Sequence, residues 1–259
     1  MVNLSLSSYV KAGDEHNHVE IDQVNSSDNF NLSIEQIGYE THARFSFDHN
    51  NNTVNLLQSG NNMYFGYTDA WGSGYNWGGD LDGLRNNVDV RQKCSTSSCN
   101  ANDFQFHIWG DDNIVKFGQG YSLNDSTSPT WNYDNNEPGG NFVRLDIHGD
   151  DNTFIGSQKM DTNTINHSMY INIYSDDNEV YARQAQNGNK TFTLTIRNSD
   201  GNDVSVNQRD NGAHTATVSL LGSQPTDLTL VQRGNTTQSY SLSQNCVTVG
   251  GCTISVTQQ

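Results

Sequence analysis

The pattern Asn-x-apolar-x-x-x-Gln recurs along the whole chain, and it limits the possible folds more than any other feature. Copies lie at Asn17-Val19-Gln23, Asn52-Val54-Gln58, Asn86-Val88-Gln92, Asn113-Val115-Gln119, Asn152-Phe154-Gln158, Asn178-Val180-Gln184 and Asn202-Val204-Gln208. Thr226-Leu228-Gln232 and Cys252-Ile254-Gln258 are degenerate last copies. The first and last positions are six residues apart in every copy. Six is even, so in a β-strand all three residues point to one face, whereas a helix would scatter them. The intervening position on that face is Ile21, Leu56, Val90, Phe117, Gly156, Ala182, Val206, Leu230 and Val256 in turn.

A second alternating stretch precedes many copies: Phe104-Phe106-Ile108, Val143-Leu145-Ile147, Met169-Ile171-Ile173, Phe192-Leu194-Ile196 and Ala216-Val218-Leu220. Gly110-Asp111-Asp112, Gly149-Asp150-Asp151 and Ser175-Asp176-Asp177 lie between the paired stretches, and such residues favour tight turns. The unit is therefore strand, turn, strand, loop. From Gln158 onward the Gln recurs every 24 to 26 residues, enough for two strands and their connections. The expected fold is an all-β solenoid with two strands per coil, forming a single domain over 1–259. Insertions at 59–85 and 120–141 interrupt it. Eight or nine coils at ~4.8 Å each make a rod roughly 40 Å long. In the first third, Leu32-Ile34-Gln36 and Ala43-Phe45-Phe47 both read as strands before the Asn52 copy.

Only 33% of the 259 residues are hydrophobic, which suits a repeat whose units bury surface only against their neighbours. With 13 basic and 29 acidic residues the net charge is −16, which disfavours nucleic acid and anionic lipid as partners. No apolar run is long enough for a membrane-spanning helix, so membrane insertion is not expected. The N-terminal stretch lacks a charged region followed by an apolar core, and reads as a mature form with an added start Met. Cys94 and Cys99, and Cys246 and Cys252, are close pairs without the spacing of a zinc or redox site. Short disulfides across turns in an oxidising compartment are expected, free thiols being the alternative.

These residues resemble the curlin repeat of curli fibres. Leu32-x-Ile34-x-Gln36-x-Gly38 matches the strand before the turn, and Gly110-x-x-Asn113 to Gln119 and Gly149-x-x-Asn152 to Gln158 match the turn and second strand. In most units here the first strand ends in Ile rather than Gln. The resemblance implies a secreted bacterial functional amyloid at the cell surface or in the biofilm matrix. It also implies a homopolymer as the main partner state, with a secretion pore and a nucleator at the outer membrane.

Inward amides cost ~1–3 kcal/mol each if unpaired, so the repeated Asn and Gln are expected to stack as ladders across coils. Gln36 joins this set by its match to the curlin first strand. Val2, Leu4 and Leu6 at one end, and Ile254, Val256 and Gln258 at the other, read as uncapped strands able to pair with another copy. Head-to-tail contact of that kind is open and makes filaments. Stacked Asp111, Asp112, Asp150, Asp151, Asp176 and Asp177 would repel one another, and calcium is the cofactor that carboxylates so placed could hold. Tyr64, Phe65, Tyr67, Trp71, Tyr75 and Trp77, with Trp131 and Tyr133 in the second insertion, form a candidate adhesion surface for polysaccharide or protein. No nucleophile elbow, HExxH, P-loop or dinucleotide fingerprint occurs, and His107 and His148 show no partner acid in the sequence. An enzyme is therefore not expected. The alternative to a fibre subunit is a monomeric surface adhesin, or a carbohydrate-binding or carbohydrate-active β-helix, using the aromatic loops.

Overall fold

The computed structural model describes residues 7–10, 18–23, 31–36, 42–47, 51–58, 64–65, 80–92, 102–119, 121–123, 131–133, 141–159, 166–197 and 199–259. Two parallel sheets face each other across one core, and the chain alternates between them. The first sheet runs β1 (Ser7–Val10), β3 (Asn31–Gln36), β5 (Thr53–Leu57), β8 (Asn87–Gln92), β10 (Ile114–Gln119), β14 (Thr153–Lys159), β16 (Glu179–Ala185), β18 (Asp203–Gln208), β20 (Thr226–Gln232) and β22 (Cys252–Gln258). The second runs β2 (His18–Gln23), β4 (His42–Phe47), β7 (Asp80–Asp82), β9 (Asp103–Trp109), β13 (Phe142–Ile147), β15 (His167–Ser168), β17 (Lys190–Phe192), β19 (His214–Thr217) and β21 (Gln238–Ser241). The molecule is thus a β-solenoid with two strands per coil. Its first sheet has ten rungs, slightly more than the eight or nine coils expected.

The register follows the repeat. Val88, Val115, Phe154, Val180, Val204 and Leu228 form one column, and Gln92, Gln119, Gln158, Gln184, Gln208 and Gln232 another. The apolar columns of both sheets are fully buried, from Val54 to Leu230. Gly156 stands in a column of larger residues because Phe117 and Phe154 fill its place. A Cβ there would lie 2.7 Å from the Phe117 ring.

The first third corrects the expected register. Leu32 and Ile34 stand opposite Val54 and Leu56, so Leu32-Ile34-Gln36 is a rung of the first sheet, not a strand preceding it. The Asn17–Gln23 copy is displaced in turn. Its strand β2 belongs to the second sheet, where Gln23 faces Phe47, and Asn17 lies outside the described residues. Alternation alone fits either sheet, and the neighbouring rungs decide between them.

The insertions are shorter than expected. Asp80–Asp82 is a second-sheet strand, Leu81 is fully buried, and the turn that follows leads to Asn86. Tyr64–Phe65 forms β6, a side partner of β9. In the second insertion Tyr121–Leu123 (β11) and Trp131–Tyr133 (β12) make an antiparallel pair. Strand β11 packs against β14, and the outward-facing Ile155 and Ser157 are buried.

Strands β15 and β17 are short, although the buried alternation continues through Met169, Ile171, Ile173, Leu194 and Ile196. Every residue from Tyr170 to Tyr174, and from Thr195 to Arg197, has positive φ. That geometry takes these stretches out of the regular sheet hydrogen-bond pattern.

Candidate functional site

Each coil has two corners, and at both of them like residues stack. At the end of the first-sheet strand is the Gln corner. Gln158 Nε2 donates to Gln184 Oε1 at 2.8 Å, Gln184 to Gln208 at 2.9 Å, Gln208 to Gln232 at 2.7 Å and Gln232 to Gln258 at 2.7 Å. The same amides also donate across the core, to the carbonyls of Phe142, Ser168, Thr191 and Thr215. Each Gln therefore ties its coil to the next one and the first sheet to the second. Lower in the stack the donors point the other way: Gln58 donates to Gln36 and Gln92 to Gln58.

The opposite corner carries the Asn column. The backbone N–H groups of Asn86, Asn113, Asn152, Asn178, Asn202 and Thr226 donate to the Asn Oδ1 one coil earlier, at 2.9–3.1 Å. The Nδ2 groups of Asn52, Asn86, Asn113 and Asn152 reach turn carbonyls of the following coil. The shorter Asn side chain thus bonds mainly to backbone, where a pure amide ladder had been expected. Direct amide contacts link Asn113, Asn152, Asn178 and Asn202.

The acidic turns sit on this corner. Asp111, Asp150, Asp176 and Asp200 each accept from the backbone N–H one coil earlier, those of Leu84, Asp111, Asp150 and Asp176. Their neighbours Arg85, Asp112, Asp151, Asp177 and Gly201 take the left-handed conformation, with φ of 56–69°, which Asp tolerates better than most residues. Arg85 forms a two-point pair with Asp112, which lowers the Asp112 carboxyl below its usual range. Burial, then Asp112, Asp177 and Asp150, raise Asp151. Among the described residues no group of three or more His, Cys, Asp and Glu is arranged to hold a metal ion. Asp111, Asp150 and Asp176 act as acceptors for the backbone of adjoining turns.

The second-sheet side of the Gln corner holds residues that the repeat pattern did not single out. His167, Lys190, His214 and Gln238 stack in register. Lys190 is fully buried, and its ammonium donates to the carbonyls of Asn187, Gly188, Asp210 and Gly212 at 2.5–3.3 Å. The carbonyls do for this charge what a carboxylate would ordinarily do. His167 and His214 bond the carbonyls of Gln186 and Arg209. Burial, then the Lys190 charge, pushes His167 down to about 3, and burial lowers His214 as well. The signal available in the sequence was an inward-facing position occupied by His, Lys and His at spacings of 23 and 24 residues.

On the outer face of the second sheet, His107 stands opposite Asp146 in the neighbouring rung. Asp146 is buried and accepts from Asn172. Trp109, His148 and Tyr174 stack beside them at 4.4 Å spacings, with Arg197 over the Tyr174 ring. Burial, then His107, lowers His148.

At the C-terminal end, β22 pairs with β20. Its inward residues Ile254, Val256 and Gln258 are only partly buried, as are Tyr240 and Leu242 across the core. Gln258 accepts from Gln232 and donates one N–H to Ser239 O. Cys246 and Cys252 are disulfide-bonded across the last turn. Cys94, Cys99, Val2, Leu4, Leu6, Tyr67, Trp71, Tyr75 and Trp77 lie outside the described residues. Tyr64 and Phe65 are in β6, and Trp131 and Tyr133 in β12, so the structure places the two aromatic groups in separate strands. No protein-family model, curated protein or solved structure matches the chain. The curlin resemblance rests on the repeat residues themselves.

Proposed function

We propose that the protein is an extracellular fibre subunit that stacks head to tail through its solenoid ends, as the curlin resemblance implies. The observation that carries this reading is the rung β22. It repeats the inward residues of the rungs before it, yet Ile254 and Val256 are half exposed. Gln232 spends one N–H on Thr215 O and the other on Gln258; Gln258 spends one on Ser239 O and has a second to offer to a further rung. A rung from a second copy would extend both the apolar columns and the Gln ladder, and an unpaired strand edge is the usual template for such addition.

Electron microscopy of the full chain beside an Ile254→Lys/Val256→Lys variant tests the reading. A lysine can stay hydrated at a free end but not in a stacked junction. Unbranched filaments from the parent chain and dispersed particles from the variant are expected. Dispersed particles from both, over a range of salt and protein concentration, would remove the proposal.

A further inference from the structure

The outer face of the first sheet changes character along the rod. Over β14 and part of β16 it lies against β11, but from β16 onward its residues, apart from the buried Ala185, are half exposed or exposed. There the charges separate across each strand. Glu179, Asp203 and Asp227 stand in register along one edge, beside an open groove of about 440 Å³ lined by Tyr181, Ser205 and Thr229 among others. Arg209 and Arg233 lie at the other edge, just past Gln208 and Gln232, with Arg183 opposite Asn207 two positions inward.

Among the described residues neither edge is neutralised by an ion pair. Among the described residues the ion pairs engage Arg85, Arg91 and Arg144, and none engages Arg183, Arg209 or Arg233. That is unexpected in a chain with 29 acidic and 13 basic residues. The Nε atoms of Arg183 and Arg209 are shielded from solvent without a hydrogen-bond partner, as is the Oδ1 of Asn207 between them. Burial and the nearby Arg209 charge lower Arg183, while burial, Glu179 and Asp227 raise Asp203. Asp210 adjoins the basic edge, but its carboxylate is engaged by the Gly234 N–H.

We infer that this face docks on the same face of a second copy, related by a two-fold axis parallel to the rod. Rotation about that axis reverses the face from left to right while keeping the rods parallel. The acidic edge of each copy then meets the basic edge of the other. A two-fold across the rod would instead set acid against acid. The contact is isologous and closes on itself, and it keeps one direction along the rod, so it pairs two filaments without blocking their growth. Three rungs cover roughly 300 Å² at the strand spacings of a sheet, well short of the ~800 Å² per partner of a standard interface. Pairing is therefore weak between single subunits and strong where stacking repeats the contact along a filament. This extension rests on the stacking reading for its strength, not for its geometry.

The test compares the parent chain with two charge-reversed variants, R183E/R209E/R233E and E179R/D203R/D227R, by filament mass per length. The parent is expected to form paired filaments that separate at about 1 M salt. Each variant should form single ones, its paired share falling about tenfold, and mixing the two variants should restore pairs. Pairs that persist in either variant, or single filaments from the parent, would overturn the inference and leave head-to-tail stacking untouched. Loss of pairs with the arginine variant alone would also overturn it, by showing that the basic edge takes an anion other than this face. If no filaments form, Ser205→Cys reports on the soluble protein, because Ser205 lies near the proposed axis. A crosslinked dimer at low salt, absent when R183E/R209E/R233E is added, supports the face; no crosslink refutes it.

Discussion

The two corners of the coil solve one problem in opposite ways. Both must turn the chain sharply and satisfy the backbone groups exposed by the turn. The Asn corner does so in two layers, with buried Asn side chains clamping each turn to the adjoining one from within and Asp carboxylates doing so at the surface. Its carboxylates accept backbone N–H bonds and remain hydrated, so their mutual repulsion is tolerable. The Gln corner does so in the interior. There the amides form a ladder, and the Lys190 ammonium among four carbonyls takes the place of a bound cation. Burial makes each bond at this corner count for more, because nothing replaces a lost partner. The same repeat therefore carries a forgiving layer of surface carboxylates at one corner and buried amide columns that punish change.

That difference can be broken or sharpened by experiment. Lys190→Met strips the ammonium from its carbonyl cage and should cost about 3 kcal/mol, read as a lower denaturation midpoint; an unchanged midpoint would show that the cage adds nothing. Gln184→Leu interrupts the ladder and leaves the Gln158 amide without its acceptor. About 2 kcal/mol should be lost by the same measurement, and a matching loss from Asp150→Asn would erase the contrast between corners.

Acid should act on the Gln corner next. The folded-state value of His167 is about 3, below the ordinary 6.5. Between those values the unfolded chain binds more protons, so stability is full above pH 6.5 and falls as pH drops towards 3. The slope is about 1.4 kcal/mol per pH unit from this histidine, and His214 shifts in the same direction. Melting in steps from pH 7 to 5 should show the decline, and His167→Asn/His214→Asn should flatten it. The smallest effect belongs to the Asn corner. Burial and then its acidic neighbours raise Asp151, so Asp151→Asn removes both the desolvated charge and the repulsion, and its amide tolerates the same left-handed backbone. The melting temperature should rise slightly at neutral pH, and the gain should vanish in high salt; a fall would mean the charge itself is needed.

The amino-acid pattern by itself determined the strand identity, the two-strand coil and the inward columns from Asn52 to Gln258, because an even spacing repeated so often allows no other element. It also marked the Gly-Asp-Asp turns, where Gly110 has φ of 123° and a Cβ would lie 2.2 Å from Gly149 O. Tertiary structure decided what alternation leaves open. A strand that alternates fits either sheet, so only pairing could put Gln36 beside Gln58 and Gln23 beside Phe47. Local sequence likewise gives no sign that Asp80–Asp82 would leave a loop for the second sheet. The buried Lys190 was invisible for a related reason: its partners are backbone carbonyls from two coils, and carbonyls leave no mark in a sequence. The charge-divided outer face needed both levels, since the residues lie 24 or 26 positions apart in the chain and become neighbours only when the coils stack.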